Sequence, residues 1–356
     1  MEMPQPLAGV TSHMVKTPRL TQHVLRSGPV NGVPVIFLHG NFSAALYWEE
    51  TMLALPAGFQ GLAPDLRGYG WTEDVLVDAT GGMRDWTADL LELMDALRIP
   101  KAHFVGWSIG AGIVYDLIAG HATRVLSATL VDPVPTYGFG GTKGPEGTPC
   151  FPDFAGSGGG LVNPTFVQQI MAGDRGSADP NSPRNIINTF YFVPPFRAAR
   201  EEDFLTAALM EKMGTERYPG NFVPSANWPN VAPGDKGPLN AASARYMAGL
   251  TEAFVAAAGK PPVLWLHSTA DMIVSDNSMF DIGALGKLGY VPGWPGDEIY
   301  PPQPMVTQMR HVLTRYAAAG GSFTEHRIEN AAHSPHIEKP AEFGALFHNF
   351  LMTAGK

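Results

Sequence analysis

A serine, an aspartate and a histidine, which together can attack a carbonyl carbon, occur along this chain in an ordered set of local contexts. Ser108 lies in Gly106-Trp107-Ser108-Ile109-Gly110, after the apolar run Ala102-His103-Phe104-Val105 and before a helix-like run over 111–118. This reads as a strand, a sharp turn and a helix, with the serine at the apex. Such a turn forces its central residue into a sparsely populated backbone region. The glycines on either side keep side chains clear of the bend, and Gly112 is expected to let the helix pack closely on a sheet. A serine hydroxyl is a weak nucleophile and needs a base that a third group orients. Asp271 follows the strand-like run Val263-Leu264-Trp265-Leu266-His267-Ser268, and His333 follows Phe323-Thr324-Glu325-His326-Arg327-Ile328. Serine, then acid, then histidine, each after a strand, is a known order for a nucleophile raised on such a turn.

The acid has a second candidate. Asp132 follows the strand-like Ala128-Thr129-Leu130-Val131 and precedes Pro133. Asp271 is preferred because the apolar Met272-Ile273-Val274 follows it, while Asp132 also suits a turn or cap. The negative oxygen of a tetrahedral intermediate needs backbone N–H donors. Ile109, directly after the serine, is one; Asn41, with Phe42 next to it, is the other, on the loop after Val35-Ile36-Phe37-Leu38. Trp107 and Phe42 are candidates for lining a substrate pocket.

These pieces, with His39-Gly40-Asn41-Phe42, Asp65-Leu66-Arg67-Gly68-Tyr69-Gly70 and His333-Ser334-Pro335-His336, resemble the α/β-hydrolase family. The resemblance spans residues 20–133 and 259–353. It implies an α/β fold with a mostly parallel central sheet flanked by helices and a mainly helical or irregular cap inserted after the sixth core strand. It also implies a triad of Ser108, Asp271 and His333, no cofactor, and structural rather than catalytic roles for His39, Asp65 and Arg67. Relatives that open epoxides or remove halides carry an aspartate at the position of Ser108, which disfavours those chemistries here.

The elements that must carry these residues follow from patterning. Asp85-Trp86 opens an amphipathic helix with Leu90, Leu93, Met94 and Leu97, and Pro340 opens the last helix with Phe343, Leu346, Phe347 and Phe350. The core is expected over 1–133 and 259–356, with a loop insertion at 276–320. Over 134–258 glycine and proline become dense, strand patterns fade and helical pieces are expected at 163–172, 197–214 and 239–258. That segment reads as a cap or lid, and its aromatics suit an apolar substrate. The chain holds 40 glycines and 32 prolines, about a fifth of its residues against about 12% on average, which predicts long irregular loops.

Composition narrows the partners. The net charge of −9 argues against nucleic acid, and the chain has no run of eighteen apolar residues to span a membrane. The N-terminal stretch lacks the apolar core of a secretory signal, and Cys150 is the only cysteine, so the expectation is a cytoplasmic protein without an internal disulfide. Cys150 sits in a Pro-rich loop and is not read as a nucleophile. The 11 histidines are scattered; Pro335 between His333 and His336 argues against a helical metal face, so no metal is expected. The function expected is hydrolysis of a carboxylic ester or lactone on a small, apolar molecule. Hydrolysis of a C–C or amide bond by the same triad, or a non-catalytic receptor of the same fold, stays open.

Overall fold

The computed structural model describes residues 2–354. Met1, Gly355 and Lys356, at the outer ends of the two expected core segments, lie outside the described residues. Eight strands form one sheet: β1 (Val10–Lys16), β2 (Thr21–Ser27), β3 (Val33–Leu38), β4 (Phe59–Pro64), β5 (Ala102–Trp107), β6 (Val125–Val131), β7 (Val263–Ser268) and β8 (Phe323–Ile328). Their spatial order is β1-β2-β4-β3-β5-β6-β7-β8. β1 and β2 pair antiparallel, as do β2 and β4, and every later pairing is parallel.

The largely apolar runs of β3 and β5 follow from burial on both faces. Along β3, Ile36 and Leu38 enter the core on one side while Val35 and Phe37 enter the core on the other, the period of two of an extended chain. The first core is completed by α1 (Arg84–Ala96), α2 (Ile109–His121) and α3 (Met305–Ala318), and the second by α4 (Pro340–Thr353). β3 has β4 on one side and β5 on the other, so the strand order reverses there. The crevice beyond the carboxyl ends of β3 and β5 is the place where ligands bind in open parallel sheets. The Gly40–Phe42 loop and the Ser108 turn both leave the sheet at that point.

Two local expectations need correction. Much of 276–320 is not loop: α3 occupies Met305–Ala318 and buries Met309, Val312, Leu313 and Tyr316. Parallel β7 and β8 need a long crossover, and a helix supplies it. The spacing of those four side chains is helical, but the Gly/Pro-rich 289–304 ahead of them masks it. In addition, Gly112 faces a helix end rather than the sheet, since an added Cβ would lie 2.8 Å from Met83 Sδ at the start of α1.

No residue between β6 and β7 joins the main sheet. The helix expected at 163–172 is present as Pro164–Ala172, whereas 197–214 is helical only over Glu201–Ala208. The 239–258 piece breaks into Pro238–Ala241, Ala244–Met247 and Leu250–Ala256, the last preceded by Gly249 with φ 87°. Two short two-stranded ribbons, Thr142–Lys143 with Thr148–Pro149 and Phe222–Pro224 with Val231–Pro233, lie in the same segment. A helix that the pattern did not mark, Pro183–Ile186, runs on into a π-helical turn over Ile187–Tyr191. Phe166, Tyr191, Phe204 and Tyr218 of this segment share one core with Tyr47 and Trp107. Among the described residues no helix is long and apolar enough to cross a membrane.

Candidate active site

Ser108 caps α2 with φ 56° and ψ −120°, a conformation that a side-chain-bearing residue keeps only when its surroundings enforce it. They do so on both sides. The Ser108 N–H donates to Val131 O on β6 at 3.0 Å, and its carbonyl accepts from Ala111 and Val134. An added Cβ on Gly110 would stand 2.5 Å from Leu38 O, and one on Gly106 would stand 2.7 Å from Ala111 Cα. The bend therefore packs backbone against backbone, and only glycine fits at those two positions. Ser108 is 7% exposed.

The histidine and both aspartates come together. His333 Nδ1 and Asp271 Oδ2 are 2.8 Å apart, while Asp271 Oδ1 accepts from the Ile273 and Val274 amides at 2.6 and 3.1 Å. Those two amides come from the apolar residues that follow the acid. Asp132 is also present: one ligand atom each of Asp132, Asp271 and His333 lies within 4.8 Å of the others. Its carboxyl, however, accepts from Ser268 N at 2.7 Å and Ser268 Oγ at 2.8 Å. Burial, and then the neighbouring charge of Asp271, push the Asp132 pKa well above the usual carboxylate range. Two carboxylates this close and this buried do not readily ionise together, and the shift marks Asp132 as a group on which charge is disfavoured. His333 and Asp271 are each other's hydrogen-bond partners, and Asp132 has Ser268. No hydrogen bond joins Ser108 Oγ to His333.

Asn41 and Phe42 lie on the loop facing the elbow, where a Cβ on Gly40 would be 3.0 Å from Ser108 Cβ. His39 holds this loop: its Nε2 accepts from the Leu66 N–H at 3.0 Å, which places the ring proton on Nδ1, 2.8 Å from Gly40 O. Asp65 binds the Ala45 and Trp71 amides and His23. Burial opposes its charge, but the interactions with His23 outweigh it and hold the carboxyl below the usual range. Arg67 forms a two-pronged bond to buried Asp89, both contacts at 2.7 Å. The segment between β6 and β7 reaches this loop as well. Tyr191 Oη donates to Asn41 O at 2.7 Å, and Tyr69 Oη donates to Asn41 Oδ1 at 3.1 Å. Asn41 Nδ2 donates to Tyr218 Oη at 3.5 Å. Ile109 is the first residue of α2, so its N–H lacks an intrahelical acceptor.

Residues 33–146 match the family described as alpha/beta hydrolase fold. The chain has the α/β-hydrolase fold. It is 27% identical over 172 residues to "Uncharacterized carboxylesterase nap" of Bacillus subtilis (strain 168), covering 45% of this chain and 57% of that protein. It is 34% identical over 122 residues to epoxide hydrolase A of Mycobacterium tuberculosis (strain ATCC 25618 / H37Rv), covering 34% and 38% of the two chains. The chain thus spans less than two thirds of the length of either curated relative. The crystal structure of naproxen esterase (carboxylesterase NP) from Bacillus subtilis superposes with a TM-score of 0.56 at 19% identity, over 96% of this chain and 91% of that one.

Within this α/β-hydrolase fold, the side chain of Trp107 is not at a pocket surface. It is 0% exposed, and its Nε1 donates to His333 O at 2.6 Å. The rings of Tyr47, Tyr191, His333 and His336 enclose it. His336 stacks on Trp48 at 4.1 Å, and burial followed by the His333 charge takes its pKa down to about 3. Phe42 is buried and meets Phe166 edge-on at 4.9 Å. Burial pushes the Cys150 thiol up to about 12, so it carries no thiolate near neutral pH. Tyr191, Tyr218 and Glu211 join Tyr69 at the Asn41 loop without any motif to mark them. The only sequence hint was the aromatic density of 134–258.

Proposed function

We propose that this α/β-hydrolase cleaves carboxylic esters, cyclic ones included, through an acyl-enzyme on Ser108. The observation that carries this reading is the buried His333–Asp271 hydrogen bond, held against the elbow by Trp107. Ser108 Oγ attacks the carbonyl carbon as His333 Nε2 takes its proton. Asp271 stabilises the imidazolium and orients the ring. The oxyanion is met by the Ile109 N–H and by the Asn41–Phe42 loop. The intermediate collapses, and the leaving alkoxide takes the proton from His333. Water then enters and its oxygen attacks the acyl carbon as His333 takes a proton from it. The second intermediate collapses, Ser108 Oγ leaves and takes that proton back from His333, and the acid is released. The Ser108–His333 contact forms when substrate is bound, since catalytic hydrogen bonds commonly tighten in that complex.

Similarity to an epoxide hydrolase does not extend to its chemistry, because a serine occupies the nucleophile position. Residues 134–258 act as a cap whose aromatic inner side selects the substrate. Contacts of Phe166 with Phe42 and of Tyr191 with Asn41 support that assignment.

Labelling with a fluorophosphonate tests the nucleophile: wild type should be labelled and Ser108→Ala should not. A panel of p-nitrophenyl esters, lactones and anilides then tests the bond class. Equal labelling of both proteins, or turnover of anilides alone, would overturn the ester reading.

A further inference from the structure

Glu211 lies where the chain after the helix Glu201–Ala208 crosses the loops beyond β3 and β4. Its backbone is pinned there. The Glu211 N–H donates to Ala208 O, the Lys212 N–H donates to Gly68 O at 3.0 Å, and the Tyr218 N–H donates to Lys212 O at 2.9 Å. Lys212 Nζ turns to Gly70 O at 2.8 Å. The Glu211 residue is 6% exposed, and neither carboxyl oxygen has a hydrogen-bond partner among the described residues. The Phe42 amide is near enough to favour the charged form without completing a hydrogen bond. The phenols of Tyr47, Tyr69, Tyr191 and Tyr218 all feel the carboxyl. Burial drives its pKa well above the usual range.

An unpaired buried carboxyl is costly and calls for an explanation, of which a partner arriving from outside is one. An apolar residue would have served a purely structural role here. Instead the carboxyl is set among aromatic walls, beside the loop that meets the reacting carbonyl. We infer that Glu211 is the recognition point for substrates that carry a hydrogen-bond donor, a hydroxyl or an ammonium group, close to the scissile carbonyl. This inference rests on the ester-hydrolase reading. A hydroxyl needs only an acceptor oxygen. An ammonium group favours the ionised carboxylate, whose proton leaves to solvent, and the surrounding rings add cation–π attraction.

Two substrate series separate the possibilities. One is methyl butanoate with its β-hydroxy and β-amino counterparts. The other is propyl acetate with its γ-hydroxy and γ-dimethylamino counterparts. Wild type should prefer a donor-bearing ester over its parent by tenfold or more in kcat/KM in at least one series. In Glu211→Leu the ratio should fall to near one. Glu211→Gln, which keeps the shape and one acceptor oxygen, should retain part of a hydroxyl preference and lose an ammonium preference. Because each ratio is taken within one protein, a general loss of activity cancels. The same compounds titrated calorimetrically into Ser108→Ala protein, with and without Glu211→Gln, read the donor effect on Kd without turnover. Equal kcat/KM and Kd for parent and donor esters in both series, or wild-type ratios in both Glu211 variants, would overturn the inference. Ser108-dependent turnover without donor preference would do so while leaving the hydrolase reading intact. Glu211-dependent donor binding without turnover of any ester would have the opposite meaning.

Discussion

Trp107 holds the backbone of His333: its indole Nε1 donates a 2.6 Å hydrogen bond to the His333 carbonyl, across 226 positions of chain. The residue beside Ser108 thus fixes the loop that carries His333. Trp107→Phe keeps a ring in the same core and removes the donor. A hydrogen bond of this kind is worth about 1–1.5 kcal/mol net, so kcat should fall about tenfold with little change in KM. Steady-state kinetics on one good ester check this. An unchanged kcat would mean that the loop holds its position without the bond.

The two aspartates should respond very differently. Asp271→Asn leaves His333 without its anionic partner and favours the wrong tautomer, a change that costs about 10⁴ in kcat in the best-studied serine triad. Asp132→Asn should retain most activity, because burial disfavours charge on Asp132 and its partner is Ser268. Reversed results would reassign the acid to Asp132.

Asp132 also makes a prediction about stability. Its folded pKa lies above the unfolded value of about 3.9. Below that pH both states hold the proton. As pH rises past it, the unfolded chain releases a proton that folded Asp132 keeps, so the stability contribution of this group declines with pH. Thermal unfolding of wild type and Asp132→Asn, compared at about pH 4 and about pH 7, should show the variant gaining relative to wild type at the higher pH. A difference independent of pH would mean that Asp132 ionises as readily in the fold as out of it.

Gly110→Ala places a Cβ 2.5 Å from Leu38 O and 2.7 Å from His39 O. Both are backbone atoms at the end of β3, so the elbow itself must move. Overpacking of this kind costs about 1–3 kcal/mol, and urea unfolding should show that loss. Wild-type stability would mean that the elbow can shift off β3 without penalty.

The cap contacts separate into two kinds. Tyr191→Phe removes the hydroxyl that donates to Asn41 O and should lower kcat on every ester by a similar factor, about tenfold if one net hydrogen bond is lost. Phe166→Ala removes a ring packed on Phe42 and should raise KM for long or ring-bearing esters more than for an acetate. If both variants shifted all substrates alike, the cap would not be selecting the acyl group.

Local pattern alone was enough for the elements that carry the chemistry. A largely apolar strand, a glycine-flanked serine and an apolar helix are decided by residues within a few positions of one another. The β5–Ser108–α2 unit was therefore readable, as were the strand ends bearing Asp271 and His333. The hydrolase fold followed, because parallel strands joined by helices have few ways to pack. The crossover helix α3 was missed because Gly/Pro-rich chain precedes it, although its own apolar spacing is helical.

What only the tertiary structure decided was partnership. Asp132 and Asp271 both follow strands that end at the same edge, and local sequence cannot rank two such carboxyls. Burial and the Ser268 bonds separate them. Trp107 read as a pocket residue from its place beside Ser108, yet its indole is spent on His333 O. Glu211 sits in an ordinary Leu-Met-Glu-Lys-Met stretch. Its burial exists only once residues 134–258 are folded onto the Asn41 loop. The physical reason is range. Backbone conformation and apolar periodicity act between near neighbours, whereas desolvation and charge pairing depend on every group that the fold brings within a few ångströms.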